Sequence, residues 1–262
     1  MILGSKPLLS LVTISYNSID DLMRTHSSIE NLIDSEVEWI VIDGASQDGT
    51  AHFLESCRYT GLKFLSEPDC GIYDAMNKGM RLANGEFVLF LNAGDEFILK
   101  KWNEVRSILK RELYHTDILY FDAIYNFRNG IRKLRPAKDR ENYIEHGMPA
   151  NHQATFIARN LLALNPFNLK FKLCGDYANI ATLVKSGARV KIFHIAVSIF
   201  HAGGSSTKQL VRLFIEPYMV QRAILQLGHC KIIYSFLRRI FSTIAFQMYY
   251  SFPAVMSEKD EA

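Results

Sequence analysis

Residues 66–95 read SEPDCGIYDAMNKGMRLANGEFVLFLNAGD, and this stretch decides the class of fold. Leu62 to Ser66 is a short strand-like run that passes into the polar loop Glu67-Pro68-Asp69. Gly71 to Asn84 carries a helical pattern and is stopped by Gly85, a residue suited to the turn that closes a helix. Glu86 to Leu91 (EFVLFL) reads as a buried strand and leads into Asn92-Ala93-Gly94-Asp95. The same alternation continues upstream. Leu8 to Tyr16 (LLSLVTISY) and Glu38 to Asp43 (EWIVID) read as strands. Between them Asp20 or Asp21 can cap a helix whose apolar positions are Leu22, Ile29, Leu32 and Ile33. The turn-forming loop Gly44 to Gly49 precedes a further helix from Thr50 to about Arg58. Strands and helices alternating at this pitch predict a parallel sheet with right-handed crossovers.

In open α/β sheets, ligands bind at the carboxyl ends of the strands. Four polar segments fall there: Ser15-Tyr16-Asn17, Asp43-Gly44, Glu67-Pro68-Asp69 and Asn92-Ala93-Gly94-Asp95. Singly, each is as well explained by turn formation. Together they predict a cleft for a nucleotide or phosphorylated ligand, with Asp95 placed for a hard divalent cation such as Mg²⁺ or Mn²⁺. The sequence has no G-x-G-x-x-G after its first strand, no P-loop and no G-x-S-x-G elbow. Dehydrogenase, NTPase and hydrolase readings lose their main support.

Beyond Asp95 the pattern loosens. Leu119–Tyr125, Ile131–Leu134 and His152–Ala158 read as strands, and residues 189–200 as strand-like segments. Asp176 to Ser186 reads as a helix ended by Gly187. Gly203-Gly204 reads as a hinge or tight turn, followed by helices roughly from Lys208 to Leu227 and from Lys231 to Tyr250.

The net charge of +3 is unevenly placed. Residues 1–205 hold 23 basic and 23 acidic side chains, whereas residues 206–256 hold six Lys and Arg against Glu216 alone. A nucleic-acid partner is therefore not expected, because the basic excess is local rather than general. Four scattered cysteines without C-x-x-C, and no signal peptide or membrane span, fit a reducing cytosol.

The ordered set SLVTISYN, EWIVIDGASQDGT, SEPDCGIYDAMNKG and GEFVLFLNAGD, continued by HQATF, GDYANIATLVKSG and GGSS, resembles family 2 glycosyltransferases of the GT-A fold. The bacterial exopolysaccharide enzymes of the colanic-acid type are most similar. The resemblance covers about residues 8–207. It implies an α/β, GT-A-like, mostly parallel sheet flanked by helices, with a C-terminal helical extension. Residues 1–205 would form the catalytic domain, with a nucleotide-binding half (1–95) and an acceptor half (96–205). Residues 206–262 would form the basic amphipathic extension and tail.

The resemblance also implies roles. Ser15, Tyr16 and Asn17 would line the base and ribose pocket, and Asp43 would accept a hydrogen bond from the base. Asp74, Asn77 and Lys78 would face the ribose, diphosphate or donor sugar. Asp95 would hold Mn²⁺ or Mg²⁺ on the diphosphate, with Asn92 as a ligand or a partner of a metal-bound water and His201 as a further metal contact or a phosphate hydrogen bond. The family's metal motif is acidic at two or three of positions 92, 94 and 95. Only Asp95 is acidic here, which implies weaker metal binding. Asp176 would be the catalytic base, although an Asp at a helix start also serves as a cap. His152 reads equally as a contact to acceptor or diphosphate and as a partly buried structural histidine.

Along residues 231–248, Ile233, Phe236, Leu237, Ile240, Ile244 and Met248 share one helical face, with Lys231, Ser235, Arg238 and Ser242 opposite. Such a helix suits an anionic membrane interface, and periodicity alone allows packing on the domain or a second subunit equally. The expected activity is inverting transfer from a nucleoside diphosphate sugar to a glycan or lipid-linked acceptor, at the inner face of the plasma membrane. A non-catalytic nucleotide-sugar or glycan-binding subunit is the rival. A nucleotidyltransferase would need a Gly- and basic-rich loop where SYNSIDD stands.

Overall fold

The computed structural model describes residues 6–127, 129–139, 142–202 and 210–251. The first half follows the predicted alternation: β1 (Leu9–Ser15), α1 (Ile19–Ile29), β2 (Val37–Asp43), α2 (Thr50–Ser56), β3 (Leu62–Ser66), α3 (Ile72–Leu82) and β4 (Phe87–Phe90). The second half contains β5 (Glu96–Phe97), α4 (Trp102–Glu112), β6 (Ile118–Asn126), β7 (Arg132–Arg135), β8 (Thr155–Ala158), α5 (Arg159–Leu164), α6 (Gly175–Lys185) and β9 (Val190–His201). Two helices follow, α7 (Leu210–Met219) and α8 (His229–Ser251).

These strands make one nine-stranded sheet in the order β3-β2-β1-β4-β8-β6-β9-β5, with β7 paired to β6. β3, β2, β1 and β4 run parallel. Beyond them β8 is antiparallel to both β4 and β6, while β9 returns parallel to β6. Alternate side chains of each inner strand enter opposite cores. Ile40 and Ile42 pack with Tyr73, Met76 and Met80 under α3, and that layer continues to α6. Trp39 and Val41 pack with Leu22 and Ile29 of α1, in a layer that extends to Val105 and Leu109 of α4. This period-2 division is why β2 has no exposed residue, and it fixes the register.

Three sequence expectations change. His152–Ala154 is a 3₁₀ turn, so the strand there starts only at Thr155. The helix expected to run to Leu227 ends as α-helix at Met219. Pro217 lies inside it, and a wider turn over Val220–Ile224 follows, closed by Leu225 N–H on Val220 O. The segments between 189 and 200 form the single strand β9, with register shifts opposite Phe121–Ala123 that mimic interruptions. The expected Gly203-Gly204 hinge and the boundary at Ser206 lie outside the described residues.

Candidate active site

A cavity of about 790 Å³ opens at the carboxyl ends of β1 and β4. One wall carries Tyr16, Ser18 and residues 92–95, and α3 contributes Ile72, Tyr73 and Met76. The facing wall is built by the second half: Tyr125, Arg135, residues 150–153, Lys172, Leu173, Asp176 and residues 200–202. A mixed sheet makes this possible, because antiparallel β8 and returning β9 bring residues distant in sequence to the same end.

Tyr16 stands at the mouth with 66% of its surface exposed. The following Asn17 has φ +46°, donates its N–H to Ser46 Oγ at 2.7 Å and accepts from Gln47 N at 2.9 Å. Those bonds hold the β1 and β2 loops side by side. Gly44 fits closely there: a Cβ would lie 3.0 Å from the Tyr16 ring and Asp69 Oδ2, so those side chains would have to give by a few tenths of an ångström. Ser15 is buried, with Oγ 3.1 Å from Ser18 Oγ.

The polar residues chosen for the nucleotide divide. Asp43 is fully buried beside this wall, and its carboxylate accepts from Ser46 N–H and Oγ and, at 2.6 Å, from Ser66 Oγ. Asn77 is clasped at both ends by the backbone of Phe167, at 2.8 and 2.9 Å. Lys78 Nζ lies 2.8 Å from Glu67 Oε1 and 3.8 Å from Asp74 Oδ2, and Asp74 accepts from Cys70 N–H. None of these four side chains lines the cavity; the α3 residues that do are their neighbours.

Asp95 is 5% exposed and lines the cavity. Its Oδ1 accepts the backbone N–H of His201 at 3.0 Å and its Oδ2 accepts from Gln153 Nε2 at 2.5 Å. Burial outweighs these donors and pushes its carboxyl up to about 7. The His201 ring is turned to Glu96, 2.7 Å away, and to Asn126, so His201 reaches Asp95 through its backbone alone. Asn92 Oδ1 and Gln153 Oε1 are buried without a hydrogen-bond partner. Both residues line the same cavity as Asp95, and amide and carboxylate oxygens are the hard donors that Mg²⁺ or Mn²⁺ takes. Among the described residues, no three His, Cys, Asp or Glu side chains converge on a common point. Gln153 escaped the sequence analysis; its place immediately after His152 was the available signal.

Asp176 lies in the first turn of α6, two residues after Cys174 at the cap position, and serves that turn as an acceptor as well as facing the cavity. Its Oδ1 accepts from Tyr177 N–H at 2.8 Å and lies 3.3 Å from the Tyr73 hydroxyl, which donates to Leu173 O at 2.7 Å. Its Oδ2 is 3.6 Å from His152 Nδ1. His152 Nε2 in turn meets Asn92 Nδ2 at 3.1 Å. Burial lowers the His152 pKa, and the nearby Asp176 opposes that shift. One chain of contacts thus joins the Asn92 loop to the Asp176 carboxylate across the cavity.

The loop before α6 is held from outside. Glu216 of α7 accepts the backbone N–H groups of Lys172, Leu173 and Cys174 at 3.0, 2.8 and 2.8 Å. Its signal in the sequence was its isolation as the one acid in a basic segment.

The profile of "Glycosyl transferase family 2" matches residues 10–160. An uncharacterized glycosyltransferase of Mycobacterium tuberculosis is 42% identical over 94 residues, a match that spans 36% of this chain and only 36% of that relative. A PGL/p-HBAD biosynthesis glycosyltransferase of Mycobacterium bovis is 27% identical over 78% of this chain and 81% of its own. An amylovoran biosynthesis glycosyltransferase of Erwinia amylovora is 27% identical over 52% of this chain and 49% of its own. Among solved structures, Staphylococcus aureus TarS 1–349 in complex with UDP superposes with a TM-score of 0.66 at 19% identity, covering 92% of this chain and 74% of that one. A Pyrobaculum calidifontis mannosyltransferase in complex with GDP-Man and Mn²⁺ gives 0.65 at 15%, covering 95% and 77%. These likenesses establish the GT-A fold, and with the profile match over more than half its length, this chain belongs to glycosyltransferase family 2.

Proposed function

We propose that this chain is an inverting glycosyltransferase that moves a sugar from a nucleoside diphosphate sugar to a hydroxyl of a glycan or lipid-linked acceptor in bacterial exopolysaccharide synthesis. The observation that carries the reading is that Asp176, Tyr16 and Asp95 line one cavity. The Tyr16 ring offers a stacking platform for the base, beside Ser15 and Asn17. Asp43 holds the loop behind that platform through Ser46, and Asp74, Asn77 and Lys78 hold the frame of α3. The halves 1–95 and 96–205 then divide the work into donor binding and base plus acceptor.

Asp176 takes the proton of the acceptor hydroxyl as its oxygen bonds to the anomeric carbon. The bond from that carbon to the diphosphate breaks on the opposite face, and the nucleoside diphosphate leaves with the electron pair. A single in-line displacement inverts the centre. Asp95, Asn92 and Gln153 would hold Mn²⁺ or Mg²⁺, with His201 fixing Asp95 through its backbone; a cation bound there would stabilise charge on the leaving diphosphate. His152 keeps the base oriented next to the acceptor or diphosphate.

The test is a transfer assay with Asp176→Asn, together with calorimetry of nucleoside diphosphates with and without Mn²⁺. Transfer is expected to vanish while nucleotide affinity stays within about twofold. Wild-type turnover in that variant removes Asp176 from the base role. Nucleotide binding without any transfer by the wild-type protein would instead indicate a binding subunit.

A further inference from the structure

α8 sits on the protein the opposite way from a helix that serves a water-soluble core. Its polar side turns inward: Lys231 pairs with Glu145 at 2.8 Å, Ser235 bonds the His146 ring at 2.6 Å, and Arg238 covers the Tyr143 ring at 4.7 Å. Its apolar side turns outward. Ile233, Leu237 and Phe241 are 58%, 50% and 71% exposed, and Val211, Ile215 and Tyr218 of α7 are exposed as well. Phe214 and Phe236 meet at 5.3 Å and tie the two helices together. Large exposed apolar patches on soluble domains mark interaction surfaces.

Charge selects the occupant. Between residues 210 and 251 there are five basic residues, and Glu216 is the only acid. Glu216 is buried against the α6 loop, so the helices show the outside no carboxylate, while Arg212 and Arg222 are exposed and Lys231 is held by Glu145. A twofold interface with a second copy would set this like-charged surface against itself. An anionic bilayer supplies both apolar depth and the opposite charge. No helix among the described residues is long and apolar enough to cross a membrane, so α8, about 35 Å long at the usual helical rise, would lie along one.

We propose that the outer face of α7 and α8 docks on an anionic lipid bilayer, with both helices parallel to its plane. This surface stands apart from the transfer chemistry, because none of its exposed apolar residues lines the cavity.

The experiment is flotation of the full chain with phosphatidylcholine vesicles, with and without phosphatidylglycerol. Wild-type protein is expected to float with the anionic vesicles and to be released by high salt. The triple variant Ile233→Ser, Leu237→Ser, Phe241→Ser should bind them about tenfold or more weakly with an unchanged melting temperature, since it alters only exposed positions. As a second reading, Phe241→Trp should shift its emission to the blue when anionic vesicles are added. Three outcomes overturn the proposal: folded wild-type protein that stays unbound, equal binding to neutral vesicles, or a dimer that the triple variant dissociates.

Discussion

Glu216 accepts the backbone N–H of Cys174 at 2.8 Å, two residues before Asp176 in the chain. The same carboxylate takes Leu173 and Lys172, so α7 fastens the entry to the helix that carries the proposed base. Glu216→Ala strands three donors at a partly buried turn. It is expected to cost about 2–4 kcal/mol, since bonds to a charged acceptor are the stronger kind and abandoned donors add to the loss. Denaturant unfolding measures the cost. Transfer should fall in the same variant while nucleotide affinity holds, with Glu216→Gln intermediate. Wild-type stability and turnover in the alanine variant would show that the loop holds itself.

The contact between His152 and Asp176 carries a second prediction. The Asn92 amide nitrogen lies against His152 Nε2, which makes that nitrogen the acceptor and leaves the ring proton on Nδ1, facing Asp176 at 3.6 Å. Burial lowers the imidazole pKa, so this neutral form persists at pH 7. His152→Ala should reduce kcat about 10- to 100-fold with little change in donor KM, the size seen when an orienting partner of a catalytic group is removed. Equal losses in kcat and donor affinity would make His152 a ligand contact instead.

The sequence disclosed this site unevenly, for physical reasons. β1, β2 and β4 were readable because each is buried on two faces, whereas the partly exposed β3 was bounded by turn residues; of the polar segments after β1 and β4, Tyr16 and residues 92–95 line the cavity. Asp74, Asn77 and Lys78 share a helix face as their spacing requires, yet that face meets Phe167 and Glu67 rather than the cavity. Periodicity identifies a face without saying what it meets. α4 was legible in Trp102, Val105 and Leu109 and went unread, while two-residue β5 has no period to read. The inward turn of α8's basic side depends on Glu145 and Tyr143, far away in sequence, and no local pattern encodes it.

Gly175 and Tyr73 make a steric prediction. A Cβ at Gly175 would lie 2.6–2.7 Å from three atoms of the Tyr73 ring. Gly175→Ala must therefore move that ring, and with it the hydroxyl that touches both Leu173 and Asp176. Overpacking of this kind costs about 1–3 kcal/mol. Part of the loss should return in a Tyr73→Leu background, giving a non-additive double-mutant cycle by thermal or denaturant melts. Strict additivity would mean that the backbone, not the ring, absorbs the clash.

Asp95 makes stability depend on pH. Its carboxyl is raised to about 7 by burial, against about 3.9 in an unfolded chain. Below pH 4 it is protonated in both states and has no effect on the balance. Between pH 4 and 7 the unfolded chain releases the proton while the native protein keeps it, so stability falls as pH rises. The loss reaches about 4 kcal/mol by linkage and is complete once pH passes the folded value. Asp95→Asn removes the slope, so the metal-free variant should melt higher than wild type at pH 8 and close to it at pH 4. Mn²⁺ should act oppositely. It binds the ionised carboxylate and should raise wild-type melting at pH 8, while Asp95→Asn gains nothing. A Mn²⁺ shift that survives in the variant would place the cation on other ligands, and a wild-type melting temperature flat from pH 4 to 8 would mean that water reaches Asp95.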